Sequence, residues 1–167
     1  MSAARTWGLA GLLAFEAIIA AFTFGAGSIE FSLMYAVGAV TLALAIWRGP
    51  TRWHYAVLAA ASLYRAWLQT YHGFAPLGVY PTYLVPLGFA WLAIWPERMP
   101  RVGIAAVALA RTWFVVFYLL GGSLIIVAAN VLGAVGGWLW FAAQADEPPA
   151  AGSIDDAEAA DLPPRAS

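Results

Sequence analysis

The sequence predicts an all-α fold, a polytopic integral membrane helix bundle of about six transmembrane helices with both termini in the cytoplasm. Three observations carry that prediction. Apolar residues fill 63% of the 167 positions and charged residues only 10%, against about 45–50% and about 25% in soluble domains. Six windows approach the roughly 20 apolar residues that a helix needs to cross a hydrocarbon core of about 30 Å. The arginines of the connecting loops all fall on one side of those windows.

The windows run in order Trp7–Phe24, Phe31–Trp47, Trp53–Tyr71, Tyr80–Trp95, Val102–Leu120 and Gly122–Ala142. The breaks between them read as turns: "GAGSIE", "RGPT", "HGFAPLGVYP", "PERMPR" and the pair Gly121–Gly122. The first window resembles a signal peptide in length and in its leading Arg5, but Glu16 in its middle argues against removal. The fourth is short and holds Pro81 and Pro86, so a kink or a partly re-entrant path is expected there. The last two windows should form a tight hairpin. Beyond them, residues 144–167 turn proline-rich and acidic, holding six of the nine acidic residues, and are expected to be a disordered cytoplasmic tail.

Orientation follows from charge. Arg5, Arg48, Arg52, Arg98 and Arg101 lie in loops on one side, and the opposite loops hold no Lys or Arg. The positive-inside rule sets the arginine side in the cytoplasm. Trp7, Trp47, Trp53, Trp95, Trp138 and Trp140 fall at the same helix ends, with Tyr71, Tyr80, Tyr83 and Tyr118 near the other, as interfacial anchors would. The expected location is a cell membrane, crossed several times, and a prokaryotic plasma membrane in particular.

Three ionisable residues lie well inside the windows: Glu16, Arg65 and Arg111. Their helices are the first, third and fifth, which all run from inside to outside. Glu16 and Arg111 sit at about 14 Å from their cytoplasmic helix starts and Arg65 at about 18 Å. A central arginine costs about 2.5–3.5 kcal/mol to insert, and Glu16 is the one carboxylate at its depth. A Glu16–Arg111 pair is therefore expected, with Arg65 either snorkelling outward toward Glu30 or sharing Glu16. Such a pair can be a structural lock. Two arginines against one carboxylate also leave a positive charge that an anionic ligand could answer, and a guanidinium fork holds two oxygens at once.

Accessory polar candidates are Thr112 beside Arg111, Asn130 near mid-depth in the sixth window, Tyr64 beside Arg65, and His72 in an outer loop. Gly133 and Gly137 give a G-x-x-x-G spacing for close helix contact, with the same chain or with a second copy, and Gly8, Gly11, Ala14 and Ala21 make the first helix small-faced. The two halves of the chain show no similarity that would indicate an inverted repeat.

Several chemistries find no support. The sequence has no cysteine, no lysine and two distant histidines, so no metal centre, thiol nucleophile, Schiff base or other cofactor is expected, and no catalytic residue is assigned. There is no phosphate-loop or hydrolase motif. An acidic soluble segment argues against nucleic acid. Three function classes remain: a small transporter or channel-like protein for an anionic or amphipathic small molecule; a non-catalytic subunit or assembly partner of a larger membrane complex; and an intramembrane enzyme on a lipid or isoprenoid with Glu16 as general acid. The partners expected are membrane lipids, an anionic small molecule, and a second copy or a partner membrane subunit.

Overall fold

The computed structural model describes residues 2–73, 80–97 and 99–144. They form six α-helices: α1 Ala3–Gly25, α2 Ile29–Arg48, α3 Arg52–Tyr71, α4 Leu84–Ile94, α5 Pro100–Leu119 and α6 Leu124–Ala143. The acidic tail expected from 144 onward lies, beyond Gln144, outside the described residues.

Local chemistry sets the helix ends. At the start of α1 the Ser2 hydroxyl accepts from the Arg5 amide at 3.3 Å, and at α6 Ser123 accepts from the Ile125 amide at 3.3 Å. Each satisfies one of the amides a helix start leaves unpaired. In α3, Thr51 and His54 form a reciprocal capping box. The turns after α1 and α2 pass through left-handed backbone at Gly27, φ 78°, and Gly49, φ 85°, where a side chain would meet its own carbonyl.

Four helices, α1, α2, α5 and α6, are long and apolar enough to cross a membrane. Helix α3 matches α2, α5 and α6 in length at 20 residues, with a polar load that includes Arg65 and Gln69. The fourth window departs from expectation. Its residues Tyr80–Tyr83 form a 3-10 turn, and the α-helix begins only at Leu84. Pro86 is therefore in the first turn of α4, where its missing N–H has no intrahelical partner to lose. The prolines start this helix instead of kinking it. With 11 residues, α4 is about 16 Å long, roughly half a bilayer core.

Each helix packs against its neighbours in sequence, and α6 returns to pack along α1, so the bundle closes as a ring. Successive helices are antiparallel, and α1, α3 and α5 point the same way. The half of the ring nearest the start of α1 and the end of α6, the near end, is filled by apolar side chains that include Leu12, Leu42, Leu58, Phe89 and Val107. Trp140 belongs to this core. It is fully buried and stacked on Tyr55 at 5.9 Å between centroids, in contrast to the interfacial position expected of it. Trp7, Trp47 and Trp53 at the same end are exposed, as anchors at an interface are.

Small residues set the closure. A Cβ on Gly136 would sit 2.6 Å from the Gly8 carbonyl oxygen and 2.9 Å from Gly11 Cα. The seam is thus between α1 and α6 of one chain, with Gly136 at its tightest point. Gly133 and Gly137, expected to allow close helix contact, do so within the chain: Gly133 faces Phe15 of the same α1, and Gly137 lies against the Ala108 backbone of α5. Gly136→Ala is expected to cost about 1–3 kcal/mol from overpacking, read by reversible unfolding in detergent. Gly121→Ala, whose Cβ would meet nothing within 4 Å, should stay within about 0.5 kcal/mol of the parent.

Candidate functional site: a charged triad beneath an aromatic cavity

Glu16, Arg65 and Arg111 project from α1, α3 and α5, the three alternate helices of the ring, and meet on its axis. All three are buried, at 2%, 3% and 5% exposure. The expected Glu16–Arg111 contact is present and Arg65 shares the carboxylate, but Arg65 is the stronger partner. Arg65 takes Glu16 in a two-pronged fork: one terminal nitrogen donates to Oε2 and the other to Oε1 at 3.1 Å. Arg65 also donates to the Ser62 hydroxyl at 2.9 Å, and its guanidinium lies 4.2 Å from the Tyr35 ring centroid. It does not reach outward to Glu30, which is exposed at the start of α2.

Arg111 shares the same carboxylate more loosely, through one hydrogen bond to Oε1 at 3.4 Å. Its guanidinium lies 3.6 Å from the centroid of Phe15, and its Nε–H is buried with no partner. Charge-assisted forks are the strong form of this contact and long single bonds the weak form. The triad is therefore one well-made pair plus one arginine held chiefly by an aromatic face. It carries a net charge of +1 from one carboxylate and two guanidinium groups.

Side-chain direction explains why Arg65 wins. In a helix the Cα–Cβ bond tilts toward the N-terminus, so a long side chain covers the turn before its own Cα. Arg65 leans back past Ser62, three residues earlier, and recovers the few ångströms that separate it from Glu16. The carboxylate is seated by Gly38 of α2, where a Cβ would sit 2.5 Å from Oε2. Sequence reasoning missed Gly38, Ser62, Tyr35 and Phe15. A mid-span glycine and a serine one turn before an intramembrane arginine were the available signals; the two aromatics had none among the chain's 25 aromatic residues.

Above the triad lies a cavity of about 230 Å³ inside the ring, extending to the end opposite the near end. Phe15 and Tyr35, whose rings cover the two guanidiniums, form part of its wall, with Phe22, Phe31, Phe114 and Tyr118 around them. Gln69, Thr82 and Asn130 supply polar groups. Asn130 is 3% exposed. Its amide nitrogen donates to the Ile126 carbonyl at 2.8 Å, and its Oδ1 is buried with no partner. Tyr118, expected as an interfacial anchor, instead lines this cavity.

The other polar candidates lie elsewhere. Thr112 is exposed on the outside of the ring; its hydroxyl donates to the Ala108 carbonyl at 2.9 Å and accepts from the Trp138 indole at 3.0 Å. Tyr64 is 42% exposed and packs on Trp67. His72 closes α3 at the surface against Phe31 and Tyr71. None of them joins the triad. No known family pattern, curated protein or solved structure matches this chain.

Proposed function

We propose that this chain is a small carrier-type transporter for an amphipathic small molecule with an anionic or electron-rich end. The observation that carries the reading is the cavity: it enters the ring from one end, stops at the rings lying on Arg65 and Arg111, and is backed by a packed apolar half. A channel needs a continuous path, whereas a carrier holds its cargo in a cavity closed on one side, near mid-depth. The surplus positive charge under the floor favours a cargo that is negative or electron-rich at that end.

Arg5, Arg48, Arg52 and Arg101 at the near end make it the cytoplasmic end under the positive-inside rule, so the cavity faces outward across a cell membrane. A prokaryotic plasma membrane is the location proposed. Glu16 suits the enzyme reading poorly. Both of its oxygens are engaged by arginine and it does not line the cavity, so a general acid there has no access to a substrate.

The test is uptake of labelled amphipathic carboxylates (benzoate, para-hydroxybenzoate and octanoate) into proteoliposomes, with protein-free liposomes subtracted. Saturable uptake of at least one of them is expected. Uptake equal to protein-free liposomes for all three contradicts the carrier reading.

A further inference from the structure

Resting on the reading of the cavity as a ligand site, we propose that its ligand is a phenol: a single aromatic ring bearing a hydroxyl, with any second substituent neutral or anionic. Size sets the first limit. A cavity of about 150 Å³ holds one benzene, so about 230 Å³ matches one ring with a few further heavy atoms. The wall sets the second. Aromatic rings surround the space, and Phe15 and Tyr35 already meet edge-on, with centroids 5.9 Å apart and planes at 71°. A ligand ring continues that edge-to-face pattern better than an aliphatic chain does.

Asn130 sets the third limit. Because a carbonyl only accepts, the amide atom facing the Ile126 carbonyl must be the nitrogen, and the atom left bare is the oxygen. A ligand that answers it must bring a donor. Ketones, ethers and carboxylates have none. An ammonium has one, but it enters above a triad with net positive charge and is opposed by it. A phenolic hydroxyl donates to Oδ1 while its electron-rich ring and oxygen suit the positive floor. An anionic second substituent gains further from the net positive charge of the triad beneath the Phe15 and Tyr35 rings.

Fluorine NMR on the full chain in detergent, with empty micelles subtracted, measures this. The probes are para-fluorophenol, para-fluorotoluene and para-fluorobenzylamine. The phenol is expected to bind about tenfold more tightly than the toluene, the worth of one neutral hydrogen bond, and the amine less tightly than either. Asn130→Leu should erase the phenol advantage and leave toluene binding unchanged. Ala26→Trp, which adds bulk at an exposed position of the wall, should weaken all three. Competition by unlabelled para-hydroxybenzoate tells the anionic form of the ligand from the neutral one.

Equal affinity for phenol and toluene overturns the proposal, and so does a phenol advantage that survives in Asn130→Leu. If Asn130→Leu does not fold, the phenol-to-toluene ratio in the unaltered chain, with Ala26→Trp as the check on location, decides the question alone. Phenol binding with this pattern but no carboxylate uptake in proteoliposomes supports the ligand class and contradicts the carrier reading.

Discussion

Glu16→Gln is expected to destabilise the protein by about 3–5 kcal/mol, the cost of leaving a buried ionic partner uncompensated. The substitution keeps the shape of the side chain and its seat against Gly38, so packing changes little. What changes is charge: two guanidiniums at 3% and 5% exposure would face each other with no carboxylate between them. The other acidic residues within the described part of the chain, Glu30 and Glu97, are exposed at the ring ends and cannot take over. Reversible unfolding in mild detergent reads the loss. A second substitution, Glu16→Gln with Arg111→Gln, should recover part of it by removing the arginine with the weaker anchorage.

Arg111→Gln alone is expected to do the opposite: stability within about 1 kcal/mol of the parent but uptake reduced more than tenfold. The pair that remains, Glu16 with Arg65, is neutral and keeps its fork and its bond to Ser62. Removing Arg111 deletes one long hydrogen bond and a cation–π contact, and relieves the surplus charge and the unpartnered Nε–H. The same change removes the positive charge from beneath Phe15, and with it the attraction for the electron-rich end of a ligand. Uptake of para-hydroxybenzoate into proteoliposomes, measured beside unfolding of the same preparation, separates the two effects.

Much of the fold is legible in the sequence because a bilayer imposes simple demands. Long apolar runs, glycine and proline breaks, and one-sided arginines follow from the cost of exposing polar backbone and charge to hydrocarbon. The convergence of Glu16, Arg65 and Arg111 is legible for the same reason, since each needs a partner away from lipid. Partner choice is not. Depth counted along Cα positions puts Arg111 level with Glu16, but the pairing is decided by side-chain tilt and by what flanks each arginine, Ser62 and Tyr35 for one and Phe15 for the other.

Helix rotation is the other quantity the sequence withholds. The small residues of α6 are plain to read, yet that Gly136 takes the tightest contact with α1 while Gly137 turns to α5 depends on rotations of a fraction of a turn. Thr112 shows the same limit: adjacent to Arg111 in sequence, it points about 100° away around the helix and reaches Trp138 on the outside. Trp140 and Tyr118 sit at helix ends, where aromatic anchors belong, but rotation turns both inward, one into the core and one into the cavity wall.

Arg65 is the committed partner of Glu16, and Arg111 is the surplus charge. Two double-mutant cycles measured by reversible unfolding in one detergent test this division directly, one for Glu16 with Arg65 and one for Glu16 with Arg111, each to glutamine. Coupling within a buried network spans about 0.5–3 kcal/mol. The value expected for Arg65 lies near the top of that range, about 2–3 kcal/mol, and that for Arg111 below about 1 kcal/mol. Equal couplings, or a larger one for Arg111, would contradict it.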